Sequence, residues 1–204
     1  APNEAGFSAL TGGRAPEWGA GVAIPARSLI VLPAYGSVNR GSPLDLGVVL
    51  RHELAHIALN RVIPGTVPRW FDEGYATWSA GQLDWNSGWK LRMAFITGAA
   101  PPLDSLELTW PRGVVHAQIA YLLSASFVSF LVHESGERGL QVLFENWQRT
   151  GNLEAAFGAT YGAGLDRLEA DWRRFVKRKF GWGVFLTQTL LFSLITGLAI
   201  YAMF

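Results

Sequence analysis

The sequence predicts an α+β fold that is predominantly helical, with a small N-terminal sheet packed on a helical domain and a transmembrane helix at the C-terminal end. Three observations predict it. The first 40 residues are rich in glycine and proline and hold two short strand candidates, whereas everything after Ser42 reads as helix. His52-Glu53-Leu54-Ala55-His56 sets two histidines four residues apart inside one such helix. Residues 183–204, ending in LLFSLITGLAIYAMF, contain no charge.

Taken in order, Ser28-Leu29-Ile30-Val31-Leu32-Pro33 reads as an edge strand. Ser42-Pro43-Leu44-Asp45 offers an N-cap serine, a proline at the first helical position and an acid three residues after the cap, so a helix starts near residue 43. Leu46, Val49, Leu50, Leu54, Ile57 and Ala58 form its apolar stripe, and it ends near Asn60 with Pro64-Gly65 as the stop. A second helix begins after Pro68 with Arg69-Trp70-Phe71-Asp72-Glu73-Gly74-Tyr75-Ala76, and a third covers 85–97, with Lys90 and Arg92 among apolar residues. Residues 98–113, holding Pro101, Pro102 and Pro111, read as a loop at the rim of a cleft.

The segment 119–132 is almost wholly apolar and predicts a central buried helix. Its rise of about 21 Å is too short to cross a bilayer comfortably. A helix over 137–150 carries Leu140, Leu143, Phe144 and Trp147 on one face, a short segment follows from Asn152, and 165–180 is amphipathic. The uncharged run 183–204 rises about 33 Å as a helix, enough for a hydrocarbon core, and Trp182 and Tyr201 stand at its ends as interfacial aromatics do. The chain therefore divides into a domain at 1–181 and a transmembrane helix at 182–204.

Composition narrows the partners. Net charge is +1 and there is no basic stripe with interleaved aromatics, which excludes nucleic acid. The chain has no cysteine, so there is no disulfide framework and no thiol nucleophile. Nine tryptophans is a high number; several either line the cleft or lie against lipid, or else pack in the core, which is the commoner place for tryptophan. Positive-inside bias from Arg173, Arg174, Lys177, Arg178 and Lys179 would put the domain in the cytoplasm. Those residues also form the solvated face of the 165–180 helix, and a start at Ala1 suits a chain whose signal peptide has been removed, so the balance falls to a single-pass protein with an extracytoplasmic domain.

The histidine pair carries the chemistry. On a helix, His52 and His56 lie one turn apart and both imidazoles reach one metal ion, while Glu53 contacts the water bound to that ion. The bland alternative is a helix with two solvated or core-bonded histidines. A catalytic zinc takes three protein ligands and a water, so a third donor must come from elsewhere. Asp72 and Glu73 compete for that place. Their side chains diverge by about 100° around the second helix, so one of them faces the metal; the alternative is a pair of acids stabilising the helix N-terminus.

H-E-L-A-H followed by W-F-D-E-G-Y-A resembles the gluzincin zinc metallopeptidases, above all the peptidase MA-like domain family, distantly similar to thermolysin and the zinc aminopeptidases. The resemblance implies a zincin-type domain with one zinc ion held by His52, His56 and Glu73, and Glu53 as the general base that also returns a proton to the leaving amine. Ala120-Tyr121-Leu122-Leu123-Ser124-Ala125-Ser126-Phe127-Val128 resembles the A-Y-x-x-S-x-x-F-V stretch of the same domains, which makes Tyr121 the candidate oxyanion donor, with His116 as the alternative. Tyr121 is equally well read as a core tyrosine bonded to a backbone carbonyl. Where aminopeptidases of this group carry a G-x-M-E-N strand, this chain reads Trp18-Gly19-Ala20-Gly21-Val22-Ala23-Ile24-Pro25, without an acid after Glu17. That departure points to an endopeptidase acting on peptides or proteins, and the uncharged run 183–204 tethers it to membrane lipid; the 28–33 strand either pairs with an extended substrate or, the commoner case, is simply one strand of a small sheet. The second function class is a non-catalytic peptidase-like binding or assembly module with a structural metal site.

Overall fold

The computed structural model describes residues 1, 3–13, 21–32, 45–83, 85–111 and 113–180. The expected N-cap at Ser42, residues 18–20 of the glycine-rich stretch and the uncharged run 183–204 lie outside the described residues. Within them, helix α1 spans Glu4–Thr11, strands β1 and β2 span Val22–Ile24 and Leu29–Val31, and seven further helices follow. The expectation of a mainly helical chain with a small sheet is met. Helix α1 was not expected; the side chain of Asn3 accepts a hydrogen bond from the Gly6 N–H, and Gly12 closes the helix in the left-handed conformation at φ 64°.

The two strands pair antiparallel with Ala23 opposite Ile30, joined through a 3-10 turn at Pro25–Arg27. Helix α2 spans Leu46–Val62 and is capped by the Asp45 carboxylate, which accepts from the N–H groups of Gly47 and Val48. Asp45, expected inside the first turn, is thus the cap itself. The expected apolar stripe is corrected too, since Leu46, Leu50 and Leu54 are exposed. The buried row is Val49, Glu53 and Leu59, with His52 and His56 half-buried beside it. Turning this polar-containing row inward is favourable only because partners from β1 and from helix α3 satisfy it.

Helix α3 spans Arg69–Ser79 and enters directly from Pro68. Its first turn buries Trp70 and Phe71, which stack edge to face with Phe127 and Trp147 at 5.6 and 5.3 Å. Each such ring contributes about 2–3 kcal/mol by leaving water. One turn on, along the same face, Gly74 lies flat on helix α6 (Val114–Thr150); a Cβ there would sit 2.7 Å from the backbone of Ser124. Only glycine permits that approach, and it fixes α3 against the residues one turn beyond Tyr121.

Helix α4 spans Trp85–Ile96, near the expected bounds, and α5 spans Leu103–Leu108 inside the stretch expected to be a loop. The prolines misled that expectation: Pro102 occupies the cap position, where a missing N–H costs nothing. Helix α6 joins the two expected segments across a break at Gly136, whose φ of 69° is left-handed. Among the described residues it is the one helix long and apolar enough to cross a membrane. Its Leu123, Phe127 and Leu131 are fully buried under α3, α7 (Leu153–Tyr161) and α8 (Leu165–Phe180), which is the packing of a domain's core helix. Trp147 and Trp172 lie in that core with Trp70, as expected of tryptophan, while Trp89 is exposed.

Candidate metal centre

Helices α2 and α3 bring three donors to one point. Nε2 of His52 lies 3.5 Å from Oε2 of Glu73, and Nε2 of His56 lies 3.6 Å from the same oxygen. The imidazoles meet edge to face with centroids 4.8 Å apart. Donors on a tetrahedral ion with bonds near 2.0 Å stand about 3.3 Å from one another, so the spacing fits an ion of that size. Among the described residues this is the one group of three histidine or acid side chains arranged to hold a metal.

The second nitrogen of each ring is supported differently. Nδ1 of His52 lies 3.1 Å from Oε1 of Gln82, a neutral acceptor just beyond the end of α3. Nδ1 of His56 lies 2.9 Å from Oδ1 of Asp72, within hydrogen-bond distance although off the ideal line. Asp72 therefore does not share the metal position with Glu73, in line with the divergence expected around the helix. Both supports leave Nε2 free to face the metal position, which is how ligating histidines are usually held.

The charges fit a cation. Burial works to lower the pKa of His56, but the hydrogen bond and charge of Asp72, with Glu73 and Glu53, outweigh it and hold the ring up at about 9. Burial works to raise Glu73, and the hydrogen bond from His52 with the charges of His56, His52 and Arg69 brings it below the ordinary carboxylate range. Three acids around two imidazoles leave the centre short of positive charge, and without a metal a proton on His56 supplies it. A divalent ion would displace that proton. The donor set of two imidazoles and a carboxylate, with no thiolate, suits a borderline-soft ion and leaves a coordination position open.

Glu53 is buried, at 7 % exposure, beside this cluster. Burial pushes its carboxyl up, while the charges of His56 and His52 and a hydrogen bond from the backbone of Ala23 pull it down. Strand β1 reaches that position because Gly21 has no side chain: a Cβ there would lie 3.2 Å from Cγ of Glu53 and 3.0 Å from Val49. The strand at the site is thus β1, and the expectation that 28–33 would face the substrate is corrected. Ala23 turns its N–H away from β2 towards Glu53, so the outer edge of β1 borders the centre.

Tyr121 stands on α6, its ring edge to face with Trp110 at 5.3 Å. Burial, then the charge of Glu73, pushes its phenol well above the ordinary range, and a hydrogen bond from Arg69 opposes this. The hydroxyl oxygen thus has Arg69, beside Glu73, as a hydrogen-bond partner. His116 is exposed on the first turn of α6, and His133 stacks on Phe175 at 4.9 Å, away from the centre.

Arg69 and Gln82 were not singled out by sequence. The guanidinium of Arg69 lies 4.5 Å over the ring of Trp110 and its Nε 3.9 Å from Oε1 of Glu73, the oxygen turned away from the histidines. Its backbone N–H donates to Oε2 of Glu107 at 2.6 Å, so α5 caps α3 at the end that carries the metal site. The four-residue spacing of Arg69 and Glu73 was a usable signal. For Gln82 there was none, because its contact with His52 is made only in the folded chain.

An H-E-x-x-H helix crossed by a glutamate-bearing helix, with two strands against the first, defines a zincin-like domain. The family model of the Peptidase MA superfamily matches residues 13–178, and the chain belongs to that superfamily. Membership brings a peptidase-like function, in a family whose members are generally metal-dependent. No curated protein and no solved structure matches the chain.

Proposed function

We propose that this protein is a zinc-dependent peptidase of the gluzincin type, an endopeptidase held at a membrane by residues 183–204 with its domain on the extracytoplasmic side. One observation carries the reading: His52, His56 and Glu73 converge on a single position with Glu53 buried beside it. A structural zinc site would fill all four positions with protein and would have no use for Glu53. That weighs against the non-catalytic module.

His52, His56 and Glu73 would hold the zinc, which would supply Lewis acidity for a water and for the scissile carbonyl. Glu53, raised by burial, takes the water's proton and passes it to the leaving amine. Ala23 holds its carboxylate in place. Tyr121 accepts a hydrogen bond from Arg69 and keeps its own O–H to donate to the developing oxyanion. The free edge of β1 offers backbone groups to an extended peptide, and no acidic anchor for a free N-terminus stands among its residues Val22, Ala23 and Ile24.

The test is cleavage of casein or a peptide library by the full chain, with and without chelator. Glu53→Gln should keep the metal and lose hydrolysis, because an amide cannot take the proton. Tyr121→Phe should lower turnover by about a hundredfold at unchanged metal content. Full activity in Glu53→Gln would remove Glu53 from the mechanism.

A further inference from the structure

Helix α4 turns its apolar side the wrong way for a helix in water. Leu91 and Ala94 are buried against the domain, yet Trp89, Met93 and Ile96, at the spacing of one helix face, are 55 %, 37 % and 43 % exposed. The neighbouring helix indicates what covers this face. Phe95 stacks on Trp172 at 5.4 Å, Arg173 donates to the Pro101 carbonyl at 2.7 Å, and Leu103 N–H donates to Glu169 at 3.2 Å. Phe95 thus seats α4 on α8 little more than one helical turn before the last turn of α8. That turn carries exposed Lys177, Arg178 and Lys179, and the uncharged residues 183–204 follow it.

We infer that the Trp89–Met93–Ile96 face of α4, with the basic last turn of α8, is an interfacial surface that lies on an anionic phospholipid bilayer. Tryptophan with aliphatic side chains suits the headgroup boundary, and three clustered cations suit anionic headgroups. Gln82, the partner of His52, precedes Trp89 by seven residues, at most about 25 Å of chain, so docking α4 holds the metal centre close to lipid. The inference rests on the proposed tether at 183–204 and is independent of the catalytic reading.

The chain has no cysteine, so Met93→Cys, Ile96→Cys and, as a control on α5, Leu108→Cys each give one labelling site. The full chain carrying an environment-sensitive fluorophore is reconstituted in vesicles of phosphatidylcholine and phosphatidylglycerol. Spin-labelled lipid should quench labels at 93 and 96 about threefold more than the label at 108, and less when phosphatidylglycerol is omitted. Equal, water-like quenching at all three sites in vesicle-bound chain overturns the docking face while leaving the tether standing. Labels at 93 and 96 that are shielded from water yet unquenched by lipid mean that protein covers the face, and that also overturns it. Chain recovered in the aqueous fraction contradicts the tether and this inference together.

Discussion

The two sides of the metal centre are built differently. His56 sits between α2 and α3 with the Asp72 carboxylate at 2.9 Å, and α3 is itself seated on α6 through Gly74. His52 leans outward, and its support is the amide of Gln82 at an exposed position. The difference shows that one residue is positioned by charge and the other by orientation alone. A carboxylate raises the basicity of the ring it holds, whereas an amide only selects its tautomer.

The largest effect should follow from removing that charge. Asp72→Asn keeps an acceptor but drops the anion, and metal affinity measured by chelator competition should fall by about 10–100-fold. A fall no greater than that of a Gln82 variant would break the comparison. Gly74→Ala strikes both sides at once by pushing α3 off Ser124, and should cost about 1–3 kcal/mol in urea unfolding. If it costs nothing, the close approach does not hold the site.

A smaller effect appears in pH dependence. His56 is raised from 6.5 to about 9, so the folded metal-free chain binds its proton more tightly than the unfolded chain does. That contribution to stability is complete below pH 6.5 and drains away as pH rises towards 9. Thermal midpoints of the metal-free protein should fall across this window, and less so in Asp72→Asn. The smallest effect is expected of Gln82→Ala, a loss in metal affinity below about tenfold with an unchanged pH profile.

Much of this was legible in the sequence because it is local. The four-residue spacing of His52 and His56, the proline before Arg69 and the amphipathic pattern of 165–180 each depend on neighbours along one helix. They placed α2, α3 and α8. Helices α1 and α5 were missed because Gly12, Pro101 and Pro102 read as loop, although glycine closes a helix and proline can open one. The stripe on α2 was misassigned to Leu46, Leu50 and Leu54 because hydrophobicity alone cannot show that Glu53, His52 and His56 face partners on other elements. Gln82, Ala23 and Gly21 share this cause: what each does is decided by a contact far away in sequence.

The most direct measurement is metal analysis of the full chain and of Glu73→Ala after zinc loading and dialysis. The account predicts one zinc ion per chain in the wild type and none retained in Glu73→Ala, with the variant still folded. Wild-type protein without zinc, or Glu73→Ala retaining a full equivalent, would contradict the assignment of His52, His56 and Glu73 as the metal site.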